Sequence, residues 1–194
     1  MKRILLLSVA VALTLSIFAQ TKWKVDFSHS SIKFTVTHML ISEVEGDFKT
    51  YTGSVVSTTP DFADAAIDFT IEVKSINTES EMRDKHLQSA DFFDAEKFPQ
   101  ITFKSKSFKK TSGNKYELIG DLTMHGVTKE VKFDASFGGT VNDPWGNTKA
   151  GFKATTTINR FDYGLKWNSL TEAGGAVVSP EVQISVKLEL NQVK

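Results

Sequence analysis

The sequence predicts an all-β chain whose antiparallel strands close into a barrel with about eight staves. Three observations carry this. Apolar and polar residues alternate with period two through most of the chain, as half-buried strands require. The polar rows hold Lys, Glu and Asp of both signs, so that face meets water and the apolar row points inward. The alternation breaks once, between Met82 and Ser105, where a short helical pattern appears and Leu87, Phe92, Phe93 and Phe98 crowd into a polar segment.

The first residues read as a targeting segment rather than structure. Lys2 and Arg3 precede an apolar run from Ile4 to Phe18, broken only by Ser8, Thr14 and Ser16, and Ala19 offers a small residue for cleavage before Gln20. This is the pattern of a secretory signal peptide over residues 1–19. A run of roughly 15 residues is short of the ~20 that span a bilayer. The expectation is therefore an exported protein, periplasmic in a two-membrane host, with one domain over 20–194 and no membrane span in the mature chain. The absence of cysteine is compatible with export, because a domain of this size can be stable without disulfides. The formal net charge is zero and no basic run stands out, which argues against nucleic acid as a partner.

Ile32, Phe34, Val36 and His38 alternate with Ser31, Lys33, Thr35 and Thr37. The same rhythm runs through Ile67, Phe69, Ile71 and Val73, through Val131, Phe133, Ala135 and Phe137, and through Val182, Ile184, Val186, Leu188 and Leu190. Weaker versions occur at Trp23 to Phe27, Asp47 to Val56, Ile101 to Phe108, Tyr116 to Met124 and Phe152 to Ile158. Together these make about eight or nine antiparallel strands, with Gly113-Asn114, Met124 to Thr128 and Asp143 to Gly146 as turn-like connections. Trp145 in the last of these is expected to act as an aromatic anchor.

A sandwich or a closed barrel would bury one face of so many strands. Strands of seven residues and more favour the barrel, and charged outer rows exclude a lipid-facing wall. At about eight strands the interior is either filled by side chains or shared with one small ligand. Parity sends Phe34, Val36, Phe69, Ile71, Phe103, Phe133 and Ile184 into that interior, with His38 among them. Phenylalanine outnumbers tyrosine 15 to 3, which suits a lining without hydrogen-bond partners and equally suits a filled core.

The interruption has its own logic. Thr78 followed by Glu81 fits a capping box that opens a short helix, and Glu79 with Arg83 and Glu81 with Lys85 are acidic-then-basic pairs at i,i+4. Pro99 stops the irregular stretch before the strand at Ile101. Phe92 and Phe93 cannot both face one side of a strand. Both can bury if the segment crosses an open barrel end as a lid, with Leu87 and Phe98 completing an apolar plug. Arg83 and Asp84 either clamp the helix to a neighbouring strand or loop, or Arg83 meets an anionic head group, since guanidinium suits phosphate oxygens.

Little in the chain points to catalysis. His29, His38, His86 and His125 include no pair at helical metal-site spacing and no pair on one strand face. His38 is either a core histidine bonded to a backbone carbonyl or a polar contact to a ligand head group. No nucleophile elbow, phosphate loop or EF-hand pattern occurs. The reading is a binding protein without cofactor or metal, with an enzyme or a stress or interaction protein on the same barrel as alternatives.

Four segments carry a resemblance: HSSIKFTVTHMLISEVEGDFKTYTGSV (29–55), RDKHLQSADFFDAEKFPQITFKS (83–105), GDLTMHGVTKEV (120–131) and DPWGNTKAGFKATTTINRFDYGL (143–165). In this order they resemble the YceI-like proteins, bacterial polyisoprenoid-binding proteins with a lipocalin-like barrel. The resemblance implies an eight-stranded antiparallel lipocalin-like barrel with a helical segment near Arg83, often in a homodimer. It also implies an apolar tunnel for a polyisoprenoid chain, free or as the tail of a quinone-like ligand. Under that reading the ligand contacts are Phe34, Val36, His38, Phe69, Ile71, Arg83, Leu87, Phe92, Phe93, Phe103, Phe133 and Ile184.

Overall fold

The computed structural model describes residues 20–169 and 176–194; the signal-peptide expectation lies outside them. The strands are β1 (Thr21–Val25), β2 (Ser31–His38), β3 (Ser42–Phe48), β4 (Tyr51–Ser57), β5 (Ala66–Glu72), β6 (Ile76–Asn77), β7 (Gln100–Ser112), β8 (Lys115–Met124), β9 (Val127–Asn142), β10 (Thr148–Asn159) and β11 (Val178–Gln192). One helix, α1 (Glu81–Gln88), lies between β6 and β7. Every pairing is antiparallel and the ring is closed. β11 bonds β10 along one edge, and β2 and then β1 along the other.

The strands form eight staves, because three staves are bent into two strands each. β1 and β2 are parted by a 3-10 turn at Phe27–His29, β3 and β4 by Lys49 and Thr50, and β5 and β6 by a 3-10 turn at Val73–Ser75. β9 has 16 residues and β11 has 15. At ~3.3 Å per residue these run roughly 50 Å along their paths, so the barrel is tall.

All three predicted connections are turns between neighbouring strands. Gly113 has φ 53°, and His125 and Gly126 have φ 51° and 74°. Positive φ at both central residues, as at His125 and Gly126, or at the first alone, as at Gly113, lets a two-residue hairpin loop match strand twist. In the third connection the Asp143 carboxylate accepts from the backbone N–H of Trp145 and Asn147 at 2.9 and 2.8 Å. That geometry leaves Trp145 81% exposed, so it is no anchor; the loop holds itself together through Asp143 instead.

One barrel end is sealed from the loop between β4 and β5. Phe62 is 1% exposed, and its ring lies 5.1 Å from Trp23, 5.2 Å from Phe137 and 5.0 Å from Phe152. Its φ of 61° is costly for a bulky side chain, on the order of 1–2 kcal/mol. Burial of a whole phenyl ring offsets it at ~1.5–3 kcal/mol. The loop is held by Asp64, which accepts from Ser57 Oγ at 2.5 Å, Thr58 N at 2.8 Å and Thr59 Oγ1 at 2.8 Å. Burial works against the Asp64 charge, but these hydrogen bonds outweigh it and hold the carboxyl well below its usual range. Tyr116 adds a bond from its hydroxyl to the Asp61 carbonyl at 2.6 Å.

The bend between β1 and β2 is pinned from across the sheet. Asp26 accepts from Ser28 N at 3.0 Å, and Lys149 Nζ lies 2.7 Å from both the Asp26 and Glu189 carboxylates. Both ends of the Lys149–Asp26 pair are about 15% exposed. The Lys149 ammonium, helped by His29 and the Ser28 N–H, lowers the Asp26 pKa to about 2. A carboxyl depressed on folding stabilises the fold fully above its unfolded value of about 3.9 and loses that contribution as pH falls through the folded value. Acid unfolding midpoints should therefore drop between about pH 4 and pH 2. Asp26→Asn should lower stability at neutral pH and flatten that window, as read by urea denaturation at stepped pH.

Candidate functional site

Between the Phe62 plug and the α1 end lies a cavity of about 210 Å³. Its walls come from inward positions of every stave. Phe34, Val36, Phe69, Ile71, Phe103, Phe133 and Ile184 all line it, as their parity requires. Direct register pairs knit them together: Phe34 opposite Ile184, Phe69 opposite Phe103 and Ile71 opposite Ile101. The Phe103 and Phe133 rings meet edge-on at 5.5 Å. Phe108, Phe152 and Ala135 floor the cavity against the plug.

The other end is covered by the segment that breaks the strand pattern. Leu87, Phe92 and Phe93 line the cavity. Phe92 packs at 5.1 Å from Trp167 and 5.2 Å from His86, and Phe93 meets Phe48 edge-on at 6.4 Å. Backbone bonds from Phe93 N to Leu87 O at 3.0 Å and from Ala95 N to Gln88 O at 2.9 Å fold the stretch after α1 back on the helix. Phe98 departs from the expected plug. Its ring lies 4.6 Å from His125 and over Gly126, so it fastens the segment to the β8–β9 turn.

Thr78 organises the start of α1, but not through Glu81. The helix N-cap is Ser80, which makes no side-chain cap bond. Asp84 instead accepts from Thr78 N and Thr78 Oγ1 at 2.9 and 2.6 Å. Arg83 donates from Nε to Thr78 Oγ1 and from Nη2 to Thr78 O, both at 2.7 Å. Arg83 therefore ties α1 to the end of β6 with two of its five N–H groups, and it stands outside the cavity lining. Lys85 does pair with Glu81, at 2.7 Å.

His38 is also outside the lining. It ends β2, opposite Ser42 and Val178, so inward parity carries it only as far as the rim. The other histidines lie apart. His29 Nδ1 is 3.2 Å from Asp26, His86 Nε2 is 3.1 Å from Asp91, and His125 Nδ1 is 3.1 Å from the Tyr163 carbonyl. Asp26, His29 and Glu189 are close enough to hold a cation, and the Lys149 ammonium sits among them.

Of the charged residues that border the cavity, Lys33, Lys153 and Arg160, the buried one is Arg160. It is 4% exposed and donates to the carbonyls of Ser179, Leu165, Trp167 and Val178 at 2.9, 2.5, 2.8 and 3.0 Å. Burial pushes its pKa down, and among the described residues no carboxylate pairs with it. Its role in the fold is to strap residues 165–167 to the start of β11 beside the lid. The sequence carried a signal for it: Arg160 keeps the inward parity of Ile158.

A YceI-like domain model matches residues 23–190. The chain belongs to the YceI-like family. A UPF0312 protein of Staphylococcus aureus (strain N315) is 36% identical over 172 residues, which are 88% of this chain and 98% of that protein. Among solved structures, the YceI protein of Campylobacter jejuni is 34% identical with a TM-score of 0.70, covering 81% of this chain and 90% of its own. Burkholderia cenocepacia BcnA is 26% identical with a TM-score of 0.74, covering 85% and 98%. A polyisoprenoid binding domain from Saccharophagus degradans shares the fold at 15% identity and a TM-score of 0.60, covering 87% and 97%.

In this YceI-like barrel, Phe92→Ala with Phe93→Ala should open the α1 end. Release of an apolar fluorescent probe should become faster well below the unfolding temperature, alongside a stability loss of about 3–5 kcal/mol for the buried Phe92 ring. A loss of stability with an unchanged release rate would show that the two rings are only a satellite core.

Proposed function

We propose that this protein binds a polyisoprenoid chain in its lumen and serves as an exported carrier or buffer of that lipid rather than as an enzyme. The observation that carries the reading is the lining: phenylalanine and aliphatic side chains from all the staves surround a cavity closed by the Phe62 plug at one end and by Phe92 and Phe93 at the other. Each CH2 of a chain moved from water into such a space contributes ~0.8 kcal/mol. A long flexible lipid loses conformational freedom on binding, which offsets part of that gain. The family supports lipid binding, and the fold neighbour from Saccharophagus degradans is described as a polyisoprenoid binding domain.

Under this reading the ligand's polar end lies toward Arg160, where one Nη2 N–H is not bonded to a carbonyl among the described residues and suits a quinone carbonyl or a phosphate oxygen. Export rests on the residue 1–19 pattern, and the homodimer on family resemblance. The test is organic extraction of the purified protein followed by mass spectrometry. A prenyl lipid recovered in near-stoichiometric amount is the expected result. A lipid-free protein that also takes up no added isoprenoid would end the carrier reading, and turnover of the bound lipid would move it to an enzyme.

A further inference from the structure

Three inward-facing glycines stand beneath phenylalanine rings of neighbouring strands. Gly53 on β4 pairs with Phe69 on β5, Gly46 on β3 pairs with Phe34 on β2, and Gly120 on β8 lies under Phe103 of β7. None of the three has positive φ, so the backbone does not require glycine there. What requires it is space. A methyl group on Gly53 would stand 2.5 Å from Phe69 Cε1 and Cζ, and its nearest neighbours are atoms of that ring alone. On Gly46 it would meet the Phe34 ring and Thr78 Cγ2, and on Gly120 it would also meet the Lys104 carbonyl. Glycine in a strand interior is unfavourable by roughly 0.5–1 kcal/mol relative to alanine. A site where a ring takes the place of a side chain is one of the reasons it persists.

We propose that Gly53 and Gly46 set the bore of the lumen, and through it the length of chain the protein accepts, by giving the Phe69 and Phe34 rings a recess in the wall. The proposal rests on the lumen being the lipid site. Phe69 and Phe34 stand between the lid residues Phe92 and Phe93 and the floor residues Phe108 and Phe152. Behind a ring displaced from Gly53 the wall is closed by the β4–β5 and β5–β7 pairings. Its free direction is toward the barrel axis. Since Phe62 seals the far end, a chain enters from the α1 end, and a ring swung across the axis cuts off the deep half while the shallow half stays open. A long prenyl chain then loses its deep contacts, and a short one keeps its own.

The experiment measures binding of farnesol, a short prenyl alcohol, and solanesol, a long one, to wild-type protein and to Gly53→Ala. Solanesol affinity should fall about tenfold or more while farnesol affinity stays within about threefold. Adding Phe69→Leu to Gly53→Ala should restore solanesol binding, because the smaller side chain clears the axis. If Gly53→Ala does not fold, Phe69→Trp overfills the same recess from the other strand and carries the same expectation. Unchanged solanesol binding in the folded variant, or equal loss of both alcohols, would overturn the proposal. Wild-type protein that binds neither alcohol would overturn the lipid-site reading beneath it.

Discussion

β11 bonds β10 along one edge and β2 and β1 along the other, and this double engagement closes the sheet. Closure removes every edge in the ring and divides each stave into an inward and an outward row. Once that division exists, the outer row must be hydrated and the inner row must either fill the interior or leave a dry space. Here the inner row is rich in phenylalanine, and rings at mid-height are recessed over glycine, so a space remains. Bends in three staves and bonds such as Lys149 to Asp26 and Glu189 keep the closed ring in register where a continuous strand would have to curve too sharply.

The two ends solve the same problem differently. At one end a loop residue, Phe62, is pulled into an aromatic cluster at a local backbone cost, with Asp64 locking the loop that carries it. At the other end a short helix and an irregular stretch lie across the opening, fastened by side-chain bonds at Thr78 and by the Phe98–His125 contact. A plug built from one deeply buried ring is a permanent floor. A cover whose helix buries none of its own residues and whose Phe93 is only half-buried is easier to displace, and this asymmetry gives the lumen a direction.

Period two made the lumen legible from the sequence, because in a closed sheet parity is a direct statement of which side a residue faces. It served for Phe34, Val36, Phe69, Ile71, Phe103, Phe133 and Ile184. It failed for His38 because parity says nothing of height, and a residue at the end of a strand can face inward and still miss the cavity. Arg83 is ambiguous in the sequence because a short helix offers several partners to a guanidinium; two of its N–H groups go to Thr78, which spacing alone does not reveal. Phe62 was missed because it sits in a loop, where no periodicity applies and where a positive φ in a bulky residue is unexpected. Arg160 was within reach by counting two residues past Ile158.

The most direct test of the account is where a prenyl chain actually touches the protein. A farnesol analogue carrying a photoreactive diazirine on its chain, irradiated in the complex and mapped by peptide mass spectrometry, reads this without perturbing the sequence. Adducts on lumen-facing peptides that carry Phe34, Phe69, Phe103 and Phe133, suppressed by excess unlabelled prenyl alcohol, are the predicted result. Adducts confined to the charged outer rows or to the exposed hairpin tip at Met39 to Ile41 would contradict it.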